Sequence, residues 1–118
     1  MSEAVKLDFA KMEGLIPAIV QDAASGEVLM MGFLNETSYA KTLETGFVTF
    51  WSRTRQKLWM KGETSGNRLH VQSVATDCDQ DAVLFRVVVE GDGLVCHEGT
   101  VSCFTRNIAL AGEAHLGK

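Results

Sequence analysis

The sequence predicts a single α+β domain spanning residues 1–118, a mostly antiparallel or mixed β-sheet with one main helix. Three observations carry this expectation. Short β-branched and aromatic runs recur along most of the chain, as at Phe47 to Ser52 and Ala82 to Val89. One stretch, from Asn35 to about Thr45, opens on a helix-capping residue and is followed by a glycine suited to ending a helix. The 118 residues are 46% apolar with a single proline, enough for one core, and no repeat or linker divides them.

Ile16 to Val20 reads as an apolar strand, with Pro17 expected at the strand start or on an edge. Asp22 to Gly26 is a turn, and Glu27 to Phe33 returns as the second strand of a hairpin. Asn35 caps the helix, Leu34 and Tyr39 have the spacing of a hydrophobic staple, and Gly46 ends it. Phe47 to Ser52 and Lys57 to Met60 follow as short strands, then Gly62 to Asn67 as a polar loop. Leu69 and Val71 alternate with His70 and Gln72, the pattern of a half-buried strand. Ala82 to Val89 is apolar apart from Arg86, which suggests a central strand. Gly91-Asp92-Gly93 turns the chain toward its last cysteines, and Asn107 to Lys118 is compatible with a short helix. The total is six or seven strands and one helix.

Composition narrows the function. No apolar run approaches the roughly 18 residues of a membrane helix, and Met1 to Lys6 lacks the pattern of a secretory signal. The expectation is a cytoplasmic protein without a membrane partner. The formal charge of -4 conceals an uneven distribution. Arg53, Arg55, Lys57, Lys61 and Arg68 share a short window with Glu63 as its one acid, a basic island in an acidic chain. Such an island suits a small polyanion better than a nucleic-acid duplex.

Three segments carry chemistry. In Asp77-Cys78-Asp79-Gln80-Asp81, extended backbone would set the three carboxylates on one face and the thiol on the other. Carboxylates suit Mg²⁺ and thiolate suits Zn²⁺. Full extension would spread the carboxylates over roughly 13 Å, so the segment must curl or only two of them can share an ion. An EF-hand is excluded, because Ala82 and Val88 stand where that loop needs Gly and Glu. A solvated turn before a strand is the plainer alternative.

Cys96 and Cys103 bracket the second segment, with six residues between them and 17 between Cys78 and Cys96. The spacing is not that of a structural zinc ribbon. Three thiolates with an open position match the ligand count of a catalytic zinc site, and buried or incidental thiols are the alternative. His97, adjoining a candidate ligand, could accept a proton or complete a closed site. The third segment runs from Trp51-Ser52-Arg53 to Lys61-Gly62-Glu63-Thr64-Ser65-Gly66-Asn67. Its cations, hydroxyls and glycine amides can cradle phosphate, and Trp51 or Trp59 could stack on a base. A solvated basic hairpin is the competing reading, and no Walker-type loop is present.

Together these segments resemble the phosphoribosyl-AMP cyclohydrolase family of histidine biosynthesis. The resemblance rests on WSR at Trp51 to Arg53, KGETSGN at Lys61 to Asn67, DCDQD at Asp77 to Asp81 and C-H-x-G-x-x-S-C-F at Cys96 to Phe104. It implies an intertwined homodimer with one zinc per chain, bound by Cys78 of one chain and Cys96 and Cys103 of the other. It implies Mg²⁺ at Asp77, Asp79 and Asp81, and opening of the adenine ring of 1-(5-phosphoribosyl)-AMP at the N1–C6 bond. His97 is the expected proton carrier. Trp51, Ser52, Arg53, Lys61, Glu63, Thr64, Ser65 and Asn67 are the candidate contacts to this nucleotide substrate. Glu98 replaces a usual threonine of the family, Thr100-Val101 a commonly basic pair and Thr105 a common tyrosine; none is a candidate metal ligand. The length suggests the stand-alone form. A cytidine-type deaminase is disfavoured, because its H-x-E and P-C-x-x-C signatures are absent. A non-catalytic zinc-stabilised nucleotide-binding module remains the alternative.

Overall fold

The computed structural model describes residues 6–111. After a 3₁₀ turn at Ala10–Met12 come β1 (Ile16–Asp22), β2 (Val28–Leu34), α1 (Glu36–Thr45), β3 (Thr49–Ser52), β4 (Lys57–Met60), β5 (Leu69–Thr76) and β6 (Val83–Val89). Four strands form a sheet in the order β2-β1-β6-β5, and β3 and β4 make a separate hairpin. β1 pairs antiparallel with β2 and parallel with β6, which pairs antiparallel with β5, so the sheet is mixed. The expected α+β architecture is present.

Alternation explains the sheet. Ile16, Ala18 and Val20 on β1 and Val83, Phe85 and Val87 on β6 are buried, while Ile19, Arg86 and Val88 between them face outward. Each fully buried aliphatic or aromatic side chain contributes about 1.5–3 kcal/mol. One core gathers this face with Leu29, Leu34, Val48, Phe50 and Leu69. The β3–β4 hairpin is keyed onto β2 by Phe50. A Cβ at Gly32 would stand 2.6 Å from the Phe50 ring, so only glycine lets the two approach. Pro17 does sit at the strand start, and the β1–β6 ladder begins only at Ala18.

The helix begins with a reciprocal cap. Asn35 Oδ1 accepts from the Ser38 amide at 2.8 Å, and Ser38 Oγ accepts from the Asn35 amide at 3.0 Å. Gly46 ends the helix at φ 84°, a left-handed conformation in which its amide donates to the Thr42 carbonyl. Buried Thr42 then donates to the Thr49 carbonyl at 3.2 Å and accepts from its amide at 2.9 Å, tying α1 to the hairpin.

Two sequence expectations change. The run from Phe47 to Ser52 is not one strand, because its halves choose different partners. Phe47 bridges His70 and the Val48 amide bonds Leu69, whereas Thr49 to Ser52 pair with β4. In the tail, residues 107–111 form no helix; residues 112–118 lie outside the described part of the chain. Six strands stand among the described residues, and none of their helices is long and apolar enough to cross a membrane.

Replacing Asn35 with Ala removes one half of the cap and should cost about 1 kcal/mol of stability. The check is urea unfolding, in which the midpoint should fall with an unchanged slope.

Candidate functional site

The segment from Leu94 to Phe104 has no strand of its own, so its placement depends on anchors at both ends. At the first, Asn67 Nδ2 donates to the Leu94 carbonyl at 2.9 Å and Asn67 Oδ1 accepts from the Asp92 amide at 3.1 Å. Gly91 makes room for that side chain: a Cβ there would collide with Asn67 Oδ1. At the second, buried Ser102 donates its hydroxyl to the Val28 carbonyl at 2.8 Å and the Cys103 amide donates to Leu29 at 2.7 Å. Between them the Cys96 amide bonds Thr100 and the Gly99 amide bonds Cys96, with Gly99 at φ 86°.

This turn brings the Cys96 and Cys103 thiols within hydrogen-bonding reach of each other. The Glu98 amide, the Thr100 hydroxyl and the Cys103 thiol hold the Cys96 thiol below its ordinary pKa. Burial, with the neighbouring Cys96, pushes Cys103 up. Two soft donors are thus poised as a pair, one inclined to ionise first.

A cleft of about 440 Å³ opens beside this pair. It is lined by Arg55, Lys57, Trp59 and Lys61 of the hairpin, Glu63, Thr64 and Ser65 of the following loop, and Val95, Cys96 and His97. The structure therefore unites Lys61, Glu63, Thr64, Ser65, Asn67, Cys96 and His97, all expected at a site from sequence. Asn67 nonetheless spends its amide on the loop at residues 92–94, and Glu63 accepts from the Met60 amide at 3.3 Å.

The WSR tripeptide does not line the cleft, although Ser52 borders a neighbouring depression with Arg55 and Trp59, which do. Trp51 lines a separate depression with Asn35 and Glu36, and the Arg53 guanidinium stacks 4.1 Å above the Phe33 ring. Ser52 Oγ accepts from the Arg55 amide at 3.2 Å, closing the hairpin turn. Arg68 also leaves the basic island, because it pairs with Glu90 at 3.1 Å and covers Phe47. Arg55 and Lys57, which sequence reasoning had grouped only by charge, are the island's further contribution to the cleft. Glu98, one of the departures from the family pattern, pairs with exposed Arg106 at 3.9 Å.

The acidic segment is a turn, so the strict alternation expected for an extended strand does not hold. Gln80 lies at φ 66°, and Asp77 Oδ1 accepts from the Asp81 and Ala82 amides at 3.0 and 3.2 Å. The curl gathers oxygens of Asp77, Asp79 and Asp81 within 4.8 Å of one another. Desolvation pulls Asp77 upward, but hydrogen bonds led by the Asp81 amide win and leave it below the usual range. Desolvation and then Asp79 push Asp81 up. Lys11, far away in sequence, places its ammonium 3.3 Å from Asp81 Oδ2 and 3.7 Å from Asp79 Oδ2, and donates to the Asp79 carbonyl at 3.0 Å. That ammonium occupies the position of a cation, so the donor set fits a hard divalent ion. The Cys96–Cys103 pair fits a soft one. Cys78 is exposed on the acidic turn, and among the described residues no third ligand-type side chain joins Cys96 and Cys103 in a cluster.

Comparison with known proteins follows the same residues. The family model described as phosphoribosyl-AMP cyclohydrolase matches residues 30–105. The phosphoribosyl-AMP cyclohydrolase of Solibacter usitatus (strain Ellin6076) is 59% identical over 92% of this chain and 85% of its own. That of Chelativorans sp. (strain BNC1) is 58% identical over 82% of this chain and 70% of its own. The histidine biosynthesis bifunctional protein HisIE of Escherichia coli (strain K12) is 58% identical over 84% of this chain, which covers 48% of that longer protein. With the family model and these relatives in agreement, the chain belongs to the phosphoribosyl-AMP cyclohydrolase family, hydrolases of histidine biosynthesis.

Proposed function

We propose that this chain opens the adenine ring of 1-(5-phosphoribosyl)-AMP by adding water across the N1–C6 bond, as a homodimer whose two sites each draw on both chains. The observation that carries the reading is the cleft itself, which Cys96 and His97 line together with Lys61, Thr64 and Ser65. Cys96 and Cys103 would hold zinc with Cys78 of the partner subunit. Two facts support that division: among the described residues no third ligand joins the Cys96–Cys103 pair, and Cys78 is exposed. Exposed Ile19, Met31 and Val88 on the outward sheet face offer apolar surface for a second copy. Asp77, Asp79 and Asp81 would hold Mg²⁺ in place of the Lys11 ammonium.

Zinc bound at the thiols supplies the Lewis acidity that makes water a nucleophile near neutral pH. The chain's own groups do the rest. His97 lines the cleft beside Cys96 and accepts a proton from the attacking water, whose oxygen bonds C6. The C6–N1 bond breaks with its electron pair to N1. One water proton ends on N1 and the other on the exocyclic nitrogen, leaving a carboxamide on the imidazole and a formimino group on the released nitrogen. Lys61 and the Thr64 and Ser65 hydroxyls bind phosphate, and Leu94 and Val95 give the cleft an apolar wall.

Loss of the purine absorbance on incubation with phosphoribosyl-AMP, zinc and magnesium is the direct test. No turnover would overturn the proposal in favour of a non-catalytic module. For shared sites, Cys78→Ser and Cys103→Ser proteins should each be inactive. Mixed and allowed to exchange, they should recover about a quarter of wild-type activity, since half the dimers then hold one intact site. No recovery despite demonstrated subunit exchange would place all three thiols within one chain. His97→Ala should retain zinc by metal analysis and lose about 10²-fold or more in kcat; full turnover would remove its role as proton carrier.

A further inference from the structure

We propose that Lys57, Trp59 and Lys61 form a cation–aromatic–cation ladder that selects a purine carrying a phosphate arm on each side; this rests on the ring-opening reading above. β4 is extended, so Lys57 and Trp59, two residues apart, share one face of the hairpin. Lys61 follows just past the strand end, and its Nζ lies 5.5 Å from the centre of the Trp59 ring. All three line the 440 Å³ cleft that contains Cys96 and His97. At strand spacing the two lysine backbones are about 13 Å apart, with the indole midway.

The ladder is free to act on a ligand. Among the described residues, the ion pairs formed by basic side chains engage Lys11, Lys41, Arg68 and Arg106, so neither Lys57 nor Lys61 is neutralised by a carboxylate. Trp59 keeps 37% of its surface exposed, unusual for so large an apolar ring inside a cleft. Phe50, its cross-strand partner, packs beside it with 5.6 Å between ring centres and is itself fully buried, so the indole borders the core. A braced aromatic plane flanked by unpaired cations fits a flat base flanked by anions.

The proposed substrate has that form, with phosphoribosyl arms on both N1 and N9 of one adenine. AMP has only the second arm. Two phosphates held at opposite ends also fix where C6 stands relative to Cys96 and His97, whereas one phosphate leaves the base free to bind in either sense. The ladder therefore supplies specificity for the doubly substituted purine as well as affinity for phosphate.

The test uses the full chain. In Trp51→Phe protein, Trp59 is the sole tryptophan, and AMP should quench its fluorescence. Lys57→Met changes an exposed side chain and should raise KM for phosphoribosyl-AMP about tenfold, the equivalent of ~1.4 kcal/mol, with the loss in KM rather than kcat. Lys61→Met should do the same. AMP, tested as a competitive inhibitor, should weaken less than about threefold with either substitution, because the remaining lysine receives its single phosphate. An unquenched Trp59, an unchanged KM, or equal losses for AMP and substrate would each overturn the ladder. If Trp59 in the Trp51→Phe protein is quenched by AMP while the wild type leaves phosphoribosyl-AMP intact, the ring-opening reading is overturned and the ladder stands as a nucleotide-binding device.

Discussion

The hydroxyl of Ser102 holds this protein's chemistry to its scaffold. It is almost fully buried, and it donates into the carbonyl of Val28 where β2 begins. A buried hydroxyl without a partner costs about 1–3 kcal/mol, so the bond is strongly favoured over its absence. Its consequence is positional. With the Cys103 amide on Leu29, it fixes the end of an irregular segment against a strand whose next residues reach Gly32 and the Phe50 contact. The thiol pair, the hairpin and the core thereby share one frame. The Asn67 side chain does the same at the other end of the segment. Catalytic groups on loops need such anchors, because loop backbone supplies no ladder to hold them.

Most elements were legible in the sequence because each is written locally. The helix announces itself through Asn35 and Gly46, whose roles depend on neighbours three or four residues away. The alternation on β1 and β6 likewise needs only the strand itself. Pairing was less legible, because it is a choice among distant partners. Nothing local in Phe47 to Ser52 says that the chain turns from β5 to β4 at Val48. The tie through Thr42 to both polar groups of Thr49 explains it, since a buried hydroxyl fixes where the hairpin must start.

Site residues divide along the same line. The motifs around Lys61 to Asn67 and Cys96 to Cys103 reach one cleft because short loops carry them as units. The basic island does not survive as a unit. Charge is counted along the chain, but its carriers sit on different elements: Arg53 and Arg55 in the hairpin turn, Lys57 on β4, Lys61 just past it and Arg68 before β5. Arg53 lies over Phe33, Arg68 meets Glu90, and Lys57 and Lys61 enter the cleft. Alternation from Lys57 through Trp59 to Lys61 was the available signal, and it is a pattern of spacing rather than of composition. Lys11 had no signal at all. Its ion pairs with the acidic turn cross more than sixty residues and depend on how the 3₁₀ turn docks.

The acidic turn and the lone thiol are one object, and that constrains any assembly. Cys78 stands between Asp77 and Asp79 in a turn curled tightly enough to gather three carboxylates within 4.8 Å. A partner subunit cannot lend its thiol to the Cys96–Cys103 pair without bringing those carboxylates to the cleft's edge. In the proposed dimer, the residues that would hold the soft metal and those that would hold the hard one therefore come to the cleft together. The Lys11 ammonium offsets the repulsion among these carboxylates, which stand at short range. The alternation of aspartate with cysteine thus couples the two proposed metal sites through the backbone itself: a shift of the turn that misplaced the thiol would misplace the carboxylates by a similar distance.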